Sequence, residues 1–65
     1  MRLTRLPTLR QRKGLTQEGL ARKANISYHT VVKLERGRIA NPKIETVVKL
    51  AEALGVTIDS LVKTT

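Results

Sequence analysis

Residues 17–36 read QEGLARKANISYHTVVKLER and decide the fold of this 65-residue chain. Apolar residues recur at helical spacing over 17–24 and again over 28–36, which predicts two short amphipathic helices. Asn25 lies between them, and asparagine adopts the positive φ of a tight turn more readily than most residues other than glycine. The stretch therefore predicts two helices folded against each other, with the polar side of the second helix left outside.

Local capping signals support this pair of helices. Thr16 and Ser27 precede the two helices, and their hydroxyls can accept a hydrogen bond from a backbone N–H of the first turn. Gly19 stands where a capping box would have Glu, and it should weaken its helix by about 1 kcal/mol. The residues predicted to face inward are Leu20, Ala21, Ala24, Ile26, Val31 and Leu34.

Similar signals elsewhere predict three further helices and no strand. The first lies within residues 4–13, where Pro7 fits the first turn. Its inner face comprises Leu6, Leu9, Arg10 and Lys13. Asn41 and Pro42 predict the start of the fourth helix. Its inner stripe comprises Ile44, Val47, Leu50, Ala51 and Leu54. Thr57 caps a short fifth helix.

Size and composition exclude several classes of protein. The chain is predicted to form one all-α, five-helix domain over 1–65, with its core in 5–62. It has no cysteine and a single histidine, which leaves too few ligands for a zinc site, and no cofactor is expected. Its apolar runs are too short to span a membrane, and the N-terminus lacks the apolar segment of a signal peptide. A cytoplasmic protein is therefore expected.

Charge is the strongest clue in the composition. The net charge is +8, and residues 1–43 hold eleven basic and two acidic residues. Residues 44–65 hold two basic and three acidic residues, so that part is nearly neutral. A basic surface of this kind favours a polyanionic partner. Nucleic acid fits better than a membrane surface, because the basic residues lack the Trp and Phe anchors of interfacial helices.

The run LTQEGLARKANISYHTVVKLERGR, followed by NPKIETVVKLAEALGV, resembles the Cro/repressor-type helix-turn-helix family, also called the Xre family. The similarity covers residues 5–62. Its motifs are the pair Thr16-Gln17, the pair Leu20-Ala21, Ser27, Glu35 with Gly37, and Ala-Leu-Gly-Val at 53–56. Gly19 and Asn25 depart from the residues usual at those positions, which should cost stability without changing the binding face.

The resemblance implies a lambda-repressor-like fold whose helix-turn-helix unit spans 17–36. It also implies a transcriptional regulator of a prokaryote or phage, most often a repressor, with helix 3, about 28–36, in the major groove of double-stranded DNA. An antitoxin-like interaction module that binds its own promoter would use the same fold and stays an open alternative. An enzyme is not expected, because no nucleophile, base and acid are grouped along the chain.

One set of residues is predicted to bind DNA phosphates. Gln17 begins helix 2, where free backbone N–H groups and the helix dipole attract an anion. Hydroxyl groups and cationic side chains at nearby helix ends complete the set, which comprises Thr16, Gln17, Ser27, Arg36, Arg38 and Lys43. The resemblance implies phosphate contacts at Gln17, Ser27, Arg36 and Lys43.

A second set, implied by the resemblance, reads base edges. It comprises Tyr28, His29, Thr30 and Lys33. Lys33 can donate to guanine O6 and N7, and the ring of Tyr28 can pack on a thymine methyl group or its hydroxyl can donate to a phosphate. The structural alternatives are a Tyr28 ring partly buried over Ile26, a solvated imidazole at His29 and a solvated ammonium group at Lys33.

Two charged residues are predicted to be structural. Arg10 and Glu35 fall on inner helix faces, and the resemblance implies a buried ion pair that joins helices 1 and 3. The basic residues near the N-terminus have two open interpretations, an arm along the DNA backbone or a solvated face. They are Arg2, Arg5, Arg12 and Lys13.

A homodimer is expected, at least on DNA. One recognition helix buries too little surface for high specificity, so two copies should bind a pseudo-palindromic operator with half-sites about one helical turn apart. The nearly neutral C-terminal region is predicted to hold the contact between copies, at Ile58, Leu61 and Val62.

Overall fold

The computed structural model describes residues 2–62 of the chain. Within this range the backbone forms five α-helices and no strand, as the sequence predicts. The helices are α1 (Leu6–Arg12), α2 (Gln17–Ala24), α3 (Tyr28–Glu35), α4 (Ile44–Leu54) and α5 (Ile58–Val62). No helix in the described range has the length and hydropathy needed to cross a membrane.

The helices enclose a core made of aliphatic side chains. The helix α2 packs against α3 and α4, while α5 packs against α1 and α4, and α1 also contacts α3. The largest completely buried side chains are Leu6, Leu20, Val31, Val47, Leu50, Leu54 and Leu61. Each buried leucine or valine contributes about 1.5–3 kcal/mol relative to exposure, so this packing holds α3 in place.

The α2–turn–α3 unit follows the local signals closely. The hydroxyl of Thr16 accepts a hydrogen bond from the backbone N–H of Gly19 at 2.9 Å, and Ser27 accepts one from His29 at 3.2 Å. Asn25 has the left-handed backbone expected of it, with φ 57°. These caps and the bounds of α2 confirm the predictions, whereas α3 ends at Glu35, one residue earlier than predicted.

The structure gives a reason for glycine at position 19 that the sequence did not reveal. A Cβ atom added at this position would lie 3.1 Å from the Thr16 hydroxyl oxygen, which is closer than ordinary van der Waals contact. The absence of a side chain at Gly19 therefore lets the capping hydroxyl of Thr16 come close to the first turn of α2. The capping hydrogen bond from Gly19 to Thr16 offsets part of the lower helix propensity of glycine.

The fourth helix begins two residues after the start predicted from Asn41 and Pro42. Lys43 is the capping residue, with an extended backbone at φ −62° and ψ 143°. Its carbonyl accepts hydrogen bonds from the first-turn N–H groups of Thr46 and Val47 at 3.0 and 3.2 Å, so Pro42 lies before the helix rather than inside it. Ile44 is consequently the first helical residue.

Two residues assigned to inner helix faces are exposed. Ile44 is 59% exposed because α4 only begins there. Lys13 is also exposed, because α1 ends at Arg12 and the chain turns away. Conversely, Leu3 is buried although it precedes α1, and the N–H of Leu6 donates to its carbonyl at 3.1 Å.

The prediction that Leu61 contacts a second copy is also wrong. The side chain of Leu61 is completely buried within its own chain. Its carbonyl also accepts a hydrogen bond from the N–H of Arg5 at 3.1 Å, which ties α5 to the N-terminal segment. Ile58 and Val62 are partly buried and pack against the same core. Leu61 therefore belongs to the interior and is inaccessible to another molecule.

Candidate nucleic-acid interface

One side of α3 faces away from the core. A helix turns by about 100° per residue, so the side opposite the buried residues Val31 and Leu34 can be read from their positions. We call this side the outward arc of α3, and it comprises residues 28, 29, 32, 33 and 36. The residues of α3 in the hydrophobic core are Val31 and Leu34, so the outward arc takes no part in that core.

The predicted base-reading residues mostly lie on the outward arc. Tyr28 is 46% exposed, which leaves open a ring that is partly buried over Ile26, and His29 and Lys33 are exposed. The rings of Tyr28 and His29 pack at a tilt, with centroids 5.8 Å apart. Thr30 is half-buried and lies beside the core, off the arc, which agrees with its predicted place at the flank.

Val32 is a member of the outward arc that the sequence analysis did not single out. It is half-buried and lies one helical turn after Tyr28. Because Val32 directly follows the core residue Val31, the sequence pattern alone suggests that Val32 also packs in the interior. Helical rotation from the two buried positions of α3 is the signal that would have separated it from the core.

The predicted phosphate-binding residues lie at the ends of α2, α3 and α4. Thr16 and Ser27 are exposed, and each hydroxyl that caps its helix as an acceptor still has a proton to donate. The cationic members are all exposed, at the end of α3, in the following loop and at the cap of α4. They are Arg36, Arg38 and Lys43.

The side chain of Gln17 makes a contact that the sequence analysis did not predict. Its amide Nε2 donates to Oε1 of Glu35 at 3.1 Å, so the side chain turns inward from the first turn of α2. The backbone N–H of Gln17 remains at the start of the helix, where the sequence analysis placed an anion. The contact to Glu35 was missed because the two residues lie in different helices.

The predicted ion pair between Arg10 and Glu35 is present. Arg10 donates from Nε to Oε2 of Glu35 at 2.6 Å and from Nη2 to Oε1 at 3.1 Å, with side-chain exposures of 13% and 7%. A third hydrogen bond runs from Nη1 of Arg10 to the carbonyl of Leu15 at 2.8 Å. This bidentate pair joins α1 to the end of α3 and fixes the orientation of α3 relative to α1.

The remaining basic residues lie around α1. Arg2, Arg12 and Lys13 are exposed and Arg5 is half-buried, which leaves both interpretations of this group open. Within residues 2–62, no group of three or more His, Cys, Asp or Glu side chains is arranged to hold a metal ion.

Comparison with known proteins identifies the family. Residues 8–61 match the family described as Helix-turn-helix. An uncharacterized HTH-type transcriptional regulator of Sinorhizobium fredii is 46% identical over 57 residues, which cover 88% of this chain and 73% of that protein. The HTH-type transcriptional regulator DdrOP3 of Deinococcus deserti is 42% identical over 91% of this chain and 45% of its own length.

An immunity repressor protein of Bacillus phage phi105 is 38% identical over 89% of this chain, which spans only 40% of that repressor. The names of all three relatives describe regulators or a repressor, and none describes an enzyme. The sequence motifs, the five helices of the described range and these matches agree. The chain belongs to the Xre-type helix-turn-helix family.

Proposed function

We propose that this chain is a regulator of transcription, acting as a repressor, that binds a specific sequence of double-stranded DNA with α3 in the major groove. The observation that carries the proposal is the outward arc of α3. It presents hydrogen-bonding side chains that suit base edges. The arc ends at the exposed cationic residue Arg36, and the exposed residues Arg38 and Lys43 follow it. The relative named as an immunity repressor supports repression. The site of action is the prokaryotic cytoplasm, where such DNA lies.

Selection of bound sequences from a random pool of double-stranded DNA tests this function. We expect one enriched motif whose two half-sites are related by an inverted repeat about one helical turn apart. A reporter gene with that motif in its promoter should then be expressed less when the chain is present. Recovery of random sequences with no enriched motif would contradict sequence-specific binding.

The proposal includes pairing of two copies on the operator. Leu61 is inaccessible, and Ile58 and Val62 are partly buried against the core, so a more exposed apolar surface suits the contact better. We define the α4 face as Ile44 and Val48, which are 59% and 37% exposed and one helical turn apart, with their charged neighbours on the same helix. These neighbours are Glu45, Lys49 and Glu52, all exposed.

A second copy of this chain fits the α4 face by charge as well as by hydrophobicity. Residues 1–43 of both copies are strongly basic and repel each other, whereas the α4 face carries both signs of charge. In a two-fold arrangement with antiparallel α4 helices crossing near Val48, Lys49 of one copy lies opposite acidic residues of the other. The apolar area is small, so pairing is weak in free solution and strengthens on DNA.

Substitution of Ile44 by aspartate tests this contact without endangering the fold. Ile44 opens α4, where a carboxylate is favourable to the helix dipole, so Ile44→Asp should fold normally. We expect it to reduce the ratio of affinities for DNA with two half-sites and DNA with one. Thr8→Asp, in the first turn of α1, is the matched control and should preserve that ratio. An unchanged ratio for Ile44→Asp would exclude the α4 face.

A further inference from the structure

Val32 is an apolar residue on the outward arc of α3 that takes no part in the core. Among the described residues, the half-buried hydrophobic side chains that pack against the core are Leu15, Ile26, Ile39, Val56, Ile58 and Val62. Val32 is not a member of this set, although it is half-buried. The residues of α3 that are buried in the core are Val31 and Leu34, on the opposite side of the helix.

The neighbours of Val32 on the helix make its surroundings partly apolar. Tyr28 lies one turn before it, and residues four apart on a helix are neighbours whose aromatic and aliphatic side chains contact each other. The Tyr28 ring is 46% exposed, so the pair presents a ring and two methyl groups on a side that is otherwise hydrogen-bonding or charged. His29 and Lys33 flank this apolar strip.

We propose that Val32 reads the C5-methyl group of a thymine, and that each half-site of the operator therefore contains a thymine at one defined position. Valine has neither a donor nor an acceptor, and the thymine methyl is the apolar group on the base edges of the major groove. A base whose donor or acceptor lay against the valine would have no hydrogen-bond partner there, which costs free energy. The inference rests on the proposed position of α3 in the major groove.

Replacement of thymine by deoxyuridine tests the contact, because it removes the methyl group and keeps every hydrogen-bonding atom. With an operator obtained by selection, each thymine of both half-sites is replaced in turn and the Kd of the full chain is measured. We expect a loss of affinity of about fourfold per half-site at one position, the size expected for one buried methyl group. In the Val32→Ala variant, replacement of thymine by deoxyuridine at that position should leave the Kd unchanged.

The valine substitution is informative because it should not harm the fold. Alanine is the better helix former and Val32 does not pack on the core, so Val32→Ala should unfold at the same temperature as the parent or higher. Gln11→Ala, which shortens an exposed side chain of α1, is the control and should keep the preference for thymine.

The outcomes separate this inference from the proposed function. A preference for thymine over deoxyuridine that persists in Val32→Ala would overturn the inference and leave the DNA-binding function intact. The same holds if the parent chain binds the operator but tolerates deoxyuridine at every position. If selection enriches no sequence, the proposed function fails, and the role of Val32 fails with it.

Discussion

At the scale of single residues, the Glu35 carboxylate is the point at which three helices meet. Its Oε2 atom accepts from Arg10 of α1, and its Oε1 atom accepts from Arg10 and from Gln17 of α2. Both oxygens are thus used, and the guanidinium of Arg10 also holds the carbonyl of Leu15. Removing one partner would leave a nearly buried charge without compensation.

We expect Glu35→Ala to lower the free energy of unfolding by about 3–5 kcal/mol, because it leaves the guanidinium of Arg10 uncompensated. Gln17→Ala should cost about 1 kcal/mol, the usual contribution of one hydrogen bond. Glu18→Ala is the control, since its 3.6 Å pair with Arg22 is largely exposed. Urea unfolding followed by circular dichroism measures all three, and equal losses for Glu35→Ala and Glu18→Ala would refute the structural role of the pair.

At the scale of helices, α3 combines two jobs on opposite sides. Val31 and Leu34 anchor it to the interior, while His29 and Lys33 point away from the core. The loop after α3 carries Arg38 outside the helix, so its side chain is not held on the outward arc. Residues in the first turns of the arc should therefore distinguish base sequences, whereas Arg36 at its end and the residues beyond it should act on any DNA.

Lys33→Ala and Arg38→Ala form a matched pair of charge-removing substitutions. We expect Lys33→Ala to reduce the discrimination between operator and random DNA by about 1–3 kcal/mol. Arg38→Ala should weaken both kinds of DNA by the same factor, because phosphates carry no sequence information. Kd values on both DNAs at one salt concentration measure this, and a uniform loss for Lys33→Ala would contradict its base-reading role.

At the scale of the whole molecule, charge is divided between two regions. Residues 1–43 supply α1, α2, α3 and the basic loop, and they hold nearly all of the positive charge. Most of the remainder forms α4 and α5, whose exposed groups are of mixed sign. This division of charge suits an approach to DNA through the basic region, and it leaves the nearly neutral region for the proposed contact with a second copy.

Binding should therefore weaken steeply with salt. With about four phosphates contacted by each of two copies, the slope of log K against log salt should be close to −7. Titration of the operator with the chain at several salt concentrations measures this slope. Arg38→Ala should make it shallower by about 2 in a dimer, one phosphate contact per copy. A slope near zero would be incompatible with phosphate binding as the source of affinity.

The sequence by itself determined the features that depend on neighbouring residues. The end of α2, the start of α3, their caps and the left-handed turn at Asn25 follow from residues close together in sequence, and the structure confirms them. The family resemblance added the ion pair between Arg10 and Glu35, which joins distant segments.

Only the tertiary structure decided which apolar and polar groups reach the surface. Leu61, predicted to contact a second copy, lies in the core, and Ile44, predicted to face inward, is exposed, because burial depends on which helices pack together. The same reason turned the side chain of Gln17 inward to Glu35 and left Val32 outside the core. Helical periodicity gives the apolar side of each helix, but the facing element determines how far along that side burial extends.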